Sequence, residues 1–125
     1  TMAVKNLFGT VVGTRKAQWH YAVGLDRGRF ADVLIDILVS LPPVLSIVDG
    51  FWGMEGHGPG SGTPRNFGLI AASDDAVALD TVLAPMMGLT AGQYAILQAA
   101  RARGVGDTEL KSVQWRGDFD PNTRF

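Results

Sequence analysis

The sequence predicts an α/β fold: a layered sheet of about three strands, at least partly parallel, with helices packed on it. Short apolar runs bounded by turn residues alternate along the chain with stretches of helical periodicity. Strands separated by helical crossovers favour parallel pairing within one sheet. The best strand candidates, 44–48 and 67–72, enclose a glycine-rich segment, so we expect a glycine-rich loop at one strand end. The 125 residues suit a single domain with a loosely ordered tail at 118–125.

Three stretches precede the first strand. Residues 2–11 carry apolar side chains at i, i+3, i+4 and i+7, which is typical of an amphipathic helix. Residues 12–28 are mixed in character, and we expect a loop with some extended backbone. Residues 29–40 give the clearest helical face of the chain, and the two prolines that follow should end that helix, because proline lacks the amide hydrogen.

Two helices and a strand should follow the second apolar run. The aspartates at 74–75 can cap a helix that begins near Ala76. Thr90 and the glutamine three residues later form a capping-box pattern, which predicts a helix over 91–103. Residues 110–115 indicate a more polar third strand at an edge of the sheet.

The glycine-rich segment has a structural and a functional interpretation. Glycines occupy positions 50, 53, 56, 58, 60 and 62. They can simply form flexible turns, or their backbone amides can line an anion-binding concavity, since glycine permits positive φ and close backbone approach. No defined phosphate-binding motif is present, so nucleotide binding is only weakly indicated.

Three ionisable residues in this segment are candidates for chemistry. Asp49, Glu55 and His57 could act as acid, base or metal ligands through oxygen and nitrogen. Their spacing matches no defined metal motif. Asp49 followed by glycine is also a common turn, and His57 is also explained as an exposed loop histidine. Catalytic residues and any metal are therefore left open.

Asp80 lies inside an apolar helical stretch and has two interpretations. It is either a solvent-facing residue on the far side of the helix or a buried carboxylate. A buried carboxylate requires a partner, and Lys5, Arg65 or a backbone amide could supply one.

Composition excludes several classes of protein. Eleven Lys and Arg against twelve Asp and Glu give a net charge of −1 with no basic block, which argues against nucleic-acid binding. The chain has no cysteine, so it can hold no iron–sulfur cluster of its own, and we expect no cofactor within it. We expect no membrane span and no signal peptide, and therefore a cytoplasmic location.

Several separated motifs resemble one known family. They are KNLFG at 5–9, the Lys16 and His20 pair, IVDG at 47–50, GMEGHGPGSGTPR at 53–65 and SDDAVALD at 73–80. Together they resemble domain-of-unknown-function family 362, a family of prokaryotic proteins in which some members carry a ferredoxin-like iron–sulfur module. The resemblance implies an iron–sulfur domain or protein as a partner of this chain, and it implies no reaction.

The resemblance also implies how much of the family domain this chain covers and which of its residues form a site. The family domain has an upstream portion before the KNLFG motif, so the chain resembles its C-terminal half to two-thirds. The motif positions are Lys5, Asn6, His20, Asp49, Glu55, Gly56, Gly58, Pro59 and Asp80. With the glycine segment they define the predicted ligand-binding set: Lys5, Asn6, Gly53, Gly56, Gly58, Gly60, Gly62, Arg65 and Asp80.

Three functional interpretations follow. The first is a small-molecule or anion-binding domain with its site at 49–65, with enzymatic activity left open. The alternative is a non-catalytic docking module for an iron–sulfur or other redox partner, anchored by exposed Phe51, Trp52 and Met54. The third is a purely structural loop that closes the sheet, with the chemistry held by the upstream portion of the family domain.

Overall fold

A computed structural model describes residues 2–58, 60–118 and 120 of the chain. It combines helices with a sheet, as the sequence predicts. The elements in chain order are α1 (Ala3–Asn6), a 3-10 turn (Leu7–Thr10), α2 (Arg15–Val23), α3 (Arg27–Ser40), β1 (Ser46–His57), β2 (Ser61–Ser73), α4 (Ala76–Met86) and α5 (Ala95–Arg103).

The sheet differs from the prediction. Within the described residues it has two strands, β1 and β2, and they pair antiparallel. The prediction of about three partly parallel strands is therefore wrong. A short turn joins the two strands directly, and such a connection can form only an antiparallel hairpin. Most of the expected glycine-rich loop belongs to the strands, because Gly53, Gly56 and Gly62 all lie within the ladder.

A bulge divides the hairpin into two halves. Gly50 pairs with Leu69 and Trp52 pairs with Asn66, so one residue of β1 lies opposite two residues of β2. Gly68, one of those two, has a φ of +61°, a conformation that favours glycine. The half near the helices places Val48 and Leu69 against the core. The other half, residues 51–58 and 60–66, is called the ribbon arm below.

The core lies between the helices and one face of the hairpin. Nine of the eleven residues of α4 are buried, so this helix is central. In α3 the fully buried stripe is Ala31, Leu34, Ile35 and Leu38, at the spacing of one helical face. The helix predicted over 29–40 is confirmed, and Asp26 caps it by accepting hydrogen bonds from the amides of Gly28 and Arg29.

Other predicted elements need correction. Residues 15–23 form α2 rather than a loop. Helix α5 begins at Ala95, later than predicted, because the Gln93 side chain accepts the Thr90 amide and closes a turn instead. Residues 110–115 form turns and irregular backbone and no strand. Of the predicted tail at 118–125, only 118 and 120 fall among the described residues.

The segment after α5 is fastened to α4 by hydrogen bonds. Asp75 caps α4 by accepting the amides of Val77 and Ala78, as the aspartate pair predicted. Its second carboxylate oxygen accepts the amide of Asp107, at 2.8 Å. The Thr81 hydroxyl donates to the carbonyl of Asp107, at 2.9 Å. These bonds hold the chain beyond α5 close to the central helix.

Candidate functional site

The ribbon arm exposes apolar side chains. Phe51, Trp52 and Met54 are 53%, 62% and 50% exposed. Trp52 and Met54 are two residues apart in β1, so they lie on one face of the arm. Their cross-strand partners on that face are Asn66 and Pro64. The three residues named by the docking interpretation are therefore all accessible to a partner.

The opposite face of the arm is polar. Glu55 and His57 are also two residues apart in β1 and share this face. Arg65 lies opposite Gly53, and its Nη1 donates to Glu55 Oε2 at 2.9 Å. Both side chains are about half exposed, so the ion pair contributes little stability and mainly orders the two groups. The structure thus brings Glu55 and Arg65 together and leaves His57 exposed beside them.

Two of the predicted ligand-binding glycines make room for neighbouring side chains. A Cβ atom on Gly53 would lie 2.0 Å from the ring of Phe67. One on Gly62 would lie 2.3 Å from the side chain of Met54. Gly56 has a φ of +82°, and Gly58 and Gly60 belong to the turn. Pro59, between them, lies outside the described residues. Gly53 and Gly62 are therefore needed for close packing within the hairpin itself.

Asp49 lies far from the other two candidate catalytic residues. Six residues of strand separate it from Glu55, a distance of about 20 Å at strand geometry. Asp49 Oδ1 instead accepts the amide of Phe51 at 3.0 Å, beside the bulge. The structure does not bring Asp49, Glu55 and His57 to one point, so they cannot share a metal ion or a proton. Within the described residues no three His, Cys, Asp or Glu side chains form a group suited to a metal.

Asp49 does share a cleft with another predicted residue. Asn6 of α1 and Asp49 of β1 both line a space of about 260 Å³ between the helix and the start of the strand. Lys5 is exposed on the neighbouring position of α1. The polar residues that line the cleft are Asn6, Ser46 and Asp49, and Asp49 gives it one formal negative charge. The cleft therefore suits a polar or cationic group better than an anion.

Asp80 is buried rather than solvent-facing. Its Oδ1 accepts the amide of Ala3 at 2.7 Å, and its Oδ2 accepts the amide of Val4 and the hydroxyl of Tyr94, both at 3.3 Å. Burial raises the pKa of Asp80 to about 6, against the opposing effect of these hydrogen bonds. Burial, together with the adjacent Asp80 carboxylate, also raises the pKa of Tyr94 well above its usual range. Asp80 of α4 thereby connects the first amides of α1 with Tyr94, the residue that precedes α5.

The Lys16 and His20 pair lies at an aromatic cluster. The His20 ring stacks on Phe30 at 5.0 Å between centroids and meets the edge of Phe8 at 4.9 Å. Lys16 Nζ lies 5.9 Å from the centre of the Phe8 ring. The His20 ring therefore packs against two phenylalanines of the neighbouring elements.

Sequence reasoning missed two partnerships. The Glu55–Arg65 pair follows from the register of the hairpin, and the sequence predicted a loop in this segment instead of paired strands. The contact of Tyr94 with Asp80 required the placement of α5 beside α4. A turn rich in glycine and proline between two apolar runs was the one signal that could have indicated the hairpin.

The comparisons with known proteins identify the family. A family model described as "Domain of unknown function (DUF362)" matches residues 1–85. The chain belongs to the DUF362 family. The thylakoid-associated protein sll1697 of Synechocystis sp. is 43% identical over 108 residues, which cover 86% of this chain and 34% of that relative. The DUF362 chain thus spans about a third of the relative's length. No solved structure matches it significantly.

The matched DUF362 stretch contains most of the candidate site. The hairpin, Asp80 and the cleft at Asn6 all lie within residues 1–85. Helix α5 and Tyr94 lie beyond it, so one partner of Asp80 is outside the family match. Among the described residues of this DUF362 chain, no helix is both long and apolar enough to cross a membrane.

Proposed function

We propose that this DUF362 chain is a docking module whose ribbon arm binds a protein partner. The observation that carries the proposal is the exposure of Phe51, Trp52 and Met54 on an arm that no described helix covers. Aromatic residues and Met are enriched in the cores of protein interfaces, and Trp is one of the residue types enriched among those that carry most of the binding energy.

The charge of the arm favours a protein over a lipid surface. Peripheral binding to anionic lipids usually requires a cluster of Lys and Arg. Arg65 is the only Lys or Arg among residues 51–66, and it is already paired with Glu55. The arm therefore has little electrostatic attraction for a membrane and offers mainly apolar contact area.

The relative suggests where a partner is found. The Synechocystis protein is thylakoid-associated by name. We extend this to the present chain as part of the proposal: its partner is a protein held at a membrane of that kind. The resemblance to proteins that carry ferredoxin-like modules makes an iron–sulfur protein the first partner class to test.

The test is co-sedimentation with washed thylakoid membranes of Synechocystis sp. The wild-type chain should pellet with the membranes at about 0.5 M salt, because apolar contacts are not screened. Trp52→Ala should weaken binding by at least about tenfold, as expected for an interface anchor. Tyr21→Ala serves as the matched control, since Tyr21 is also aromatic and exposed but lies in α2, outside the arm.

Two further samples separate a protein partner from lipid. Protease-treated membranes should lose the interaction, and protein-free vesicles of the same lipids should not bind. Binding to the vesicles would contradict the proposal in favour of lipid insertion. Equal loss of binding in the Trp52 and Tyr21 variants would show that the arm is not the docking surface.

A second candidate function rests on the cleft shared by Asn6 and Asp49. A small polar or cationic ligand would bind there between α1 and β1. Two-dimensional amide NMR with a panel of divalent metals, phosphate, nucleotides and small carboxylates tests it. Saturable shifts at Asn6 and Asp49 should weaken in Asp49→Asn, which removes the charge but keeps an oxygen for the Phe51 amide. Shifts confined to Gly60 and Gly62 would assign the ligand to the turn instead.

A further inference from the structure

A large cleft runs along the outer edge of β2. Its volume is about 820 Å³, and it lies between β2, helix α4 and the segment 113–116. Ala78, Val82 and Met86 of α4 line it as an apolar floor. Trp115 lines the far side and is half exposed. The cleft is distinct from the ribbon arm, which lies beyond the bulge.

The lining shows that the cleft faces the edge of the strand. Six consecutive β2 and flanking residues, 69–74, line it. Side chains alternate between the two faces of a strand, so consecutive residues line one space only where the backbone edge is accessible. In the part of the chain that the structure describes, β2 pairs only with β1. The edge that faces the cleft therefore presents backbone donors and acceptors without a ladder partner.

The opposite wall of the cleft is not part of the sheet. Residues 113–116 are irregular backbone, and within the described residues no backbone hydrogen bond joins them to β2. Neighbouring strands lie about 4.8 Å apart, so two walls in contact would leave no cleft. The accessible edge of β2 is about five residues long, or about 17 Å, which matches a strand of ordinary length.

We propose that this cleft binds an extended polypeptide segment as a third strand on the edge of β2. The segment would pair its backbone with β2 and place an apolar side chain at every second position on α4. A two-stranded hairpin is marginally stable by itself, so a third strand would also consolidate the hairpin.

The occupant is a segment from the part of a family protein that lies outside the stretch matched by this chain. The Synechocystis relative matches this chain over 34% of its length, so about two thirds of such a protein is available to supply the strand. A second copy of this chain fits less well, because segment 113–116 closes the far side of the cleft. A second copy would have to bring its whole hairpin, with the helices attached to it, between β2 and that segment.

Trp115 provides a direct readout. With Trp19→Phe and Trp52→Phe as background, its fluorescence reports only the cleft. The probes are overlapping twelve-residue peptides that cover the part of the Synechocystis relative outside the match. At least one peptide should shift the emission saturably. Proline at alternate positions of that peptide should weaken binding at least tenfold at the positions that donate to β2.

A variant pair tests the floor of the cleft. Val82→Lys should weaken peptide binding at least tenfold, because it places a charge on the apolar floor. Val39→Lys, on an exposed part of α3 outside the cleft, should leave binding unchanged. If circular dichroism shows that Val82→Lys does not fold, Val82→Thr replaces it, with a weakening of at least threefold expected.

Three outcomes would overturn the proposal. The first is a peptide panel that leaves Trp115 emission unchanged. The second is a bound peptide that is insensitive to proline and to position 82. The third is a concentration-dependent Trp115 shift without peptide, together with a dimer in sedimentation, which would assign the cleft to a second copy. None of these outcomes depends on Trp52, so they are independent of the docking proposal.

Discussion

Replacing Asp80 by asparagine should change how the free energy of unfolding depends on pH. The carboxylate is buried and bound by the amides of Ala3 and Val4 and by the Tyr94 hydroxyl. Asparagine has nearly the same shape and retains one oxygen acceptor, but it does not ionise. The substitution therefore removes the titration of this group while largely preserving the packing around it.

The magnitude follows from the pKa of Asp80. Burial raises it from 3.8 to about 6, and one pKa unit corresponds to about 1.4 kcal/mol, so the full effect is about 3 kcal/mol. The folded chain binds this proton more tightly than the unfolded chain does. The stabilising contribution is therefore complete below the unfolded pKa and is lost as pH rises through about 6. Between about pH 4.5 and 7.5, the free energy of unfolding of the wild type should fall by about 2 kcal/mol relative to that of the variant.

Urea denaturation followed by tryptophan fluorescence measures this difference at several pH values. Subtracting the variant's free energy of unfolding from that of the wild type at each pH cancels the contributions of the other carboxylates. Asp32→Asn, on an exposed position of α3, controls for the change in net charge. A pH-independent difference would refute the reasoning. A variant that loses stability relative to the wild type as pH rises would mean that the hydrogen bonds outweigh burial.

Two further predictions concern packing and capping. Gly53→Ala should lower stability by about 1–3 kcal/mol, because its Cβ would meet the Phe67 ring, whereas Gly60→Ala has open space and should change the melting temperature little. Asp75→Ala should lower the free energy of unfolding by about 1–2 kcal/mol, because three backbone amides lose their acceptor. Asp74→Ala, at an exposed neighbouring position, is its thermal-denaturation control, and equal melting temperatures for these two variants would contradict the capping role.

Local elements were predictable where local interactions decide them. The periodicity of 29–40 indicated α3, and the aspartates at 74–75 indicated the start of α4, because a helical face and a cap are set by neighbouring residues. Gly104 also ends α5 in a left-handed conformation, as expected for a C-terminal glycine. The capping-box pattern at Thr90 was a weaker guide, since the same hydrogen bond closes a turn that starts five residues before the helix begins.

The sheet was not predictable in the same way. The apolar runs indicated where the two strands are most buried. The hydrogen-bonded ladder, however, continues through residues that show no apolar or alternating pattern. Glycines that sequence reasoning assigns to a loop therefore lie in paired strands. The antiparallel register, the bulge at Phe51 and the pairing of Glu55 with Arg65 all follow from that continuation.

By itself, the sequence determined the family, the net charge, the absence of thiol chemistry and the helices whose ends are capped locally. Only the tertiary structure decided which candidate residues meet. It separates Asp49 from Glu55 by about 20 Å of strand. It also buries Asp80 under the amides of α1, which lie 76 and 77 positions away in the chain. The physical reason is that contacts of this kind depend on strand register and helix packing, which are set by the whole chain.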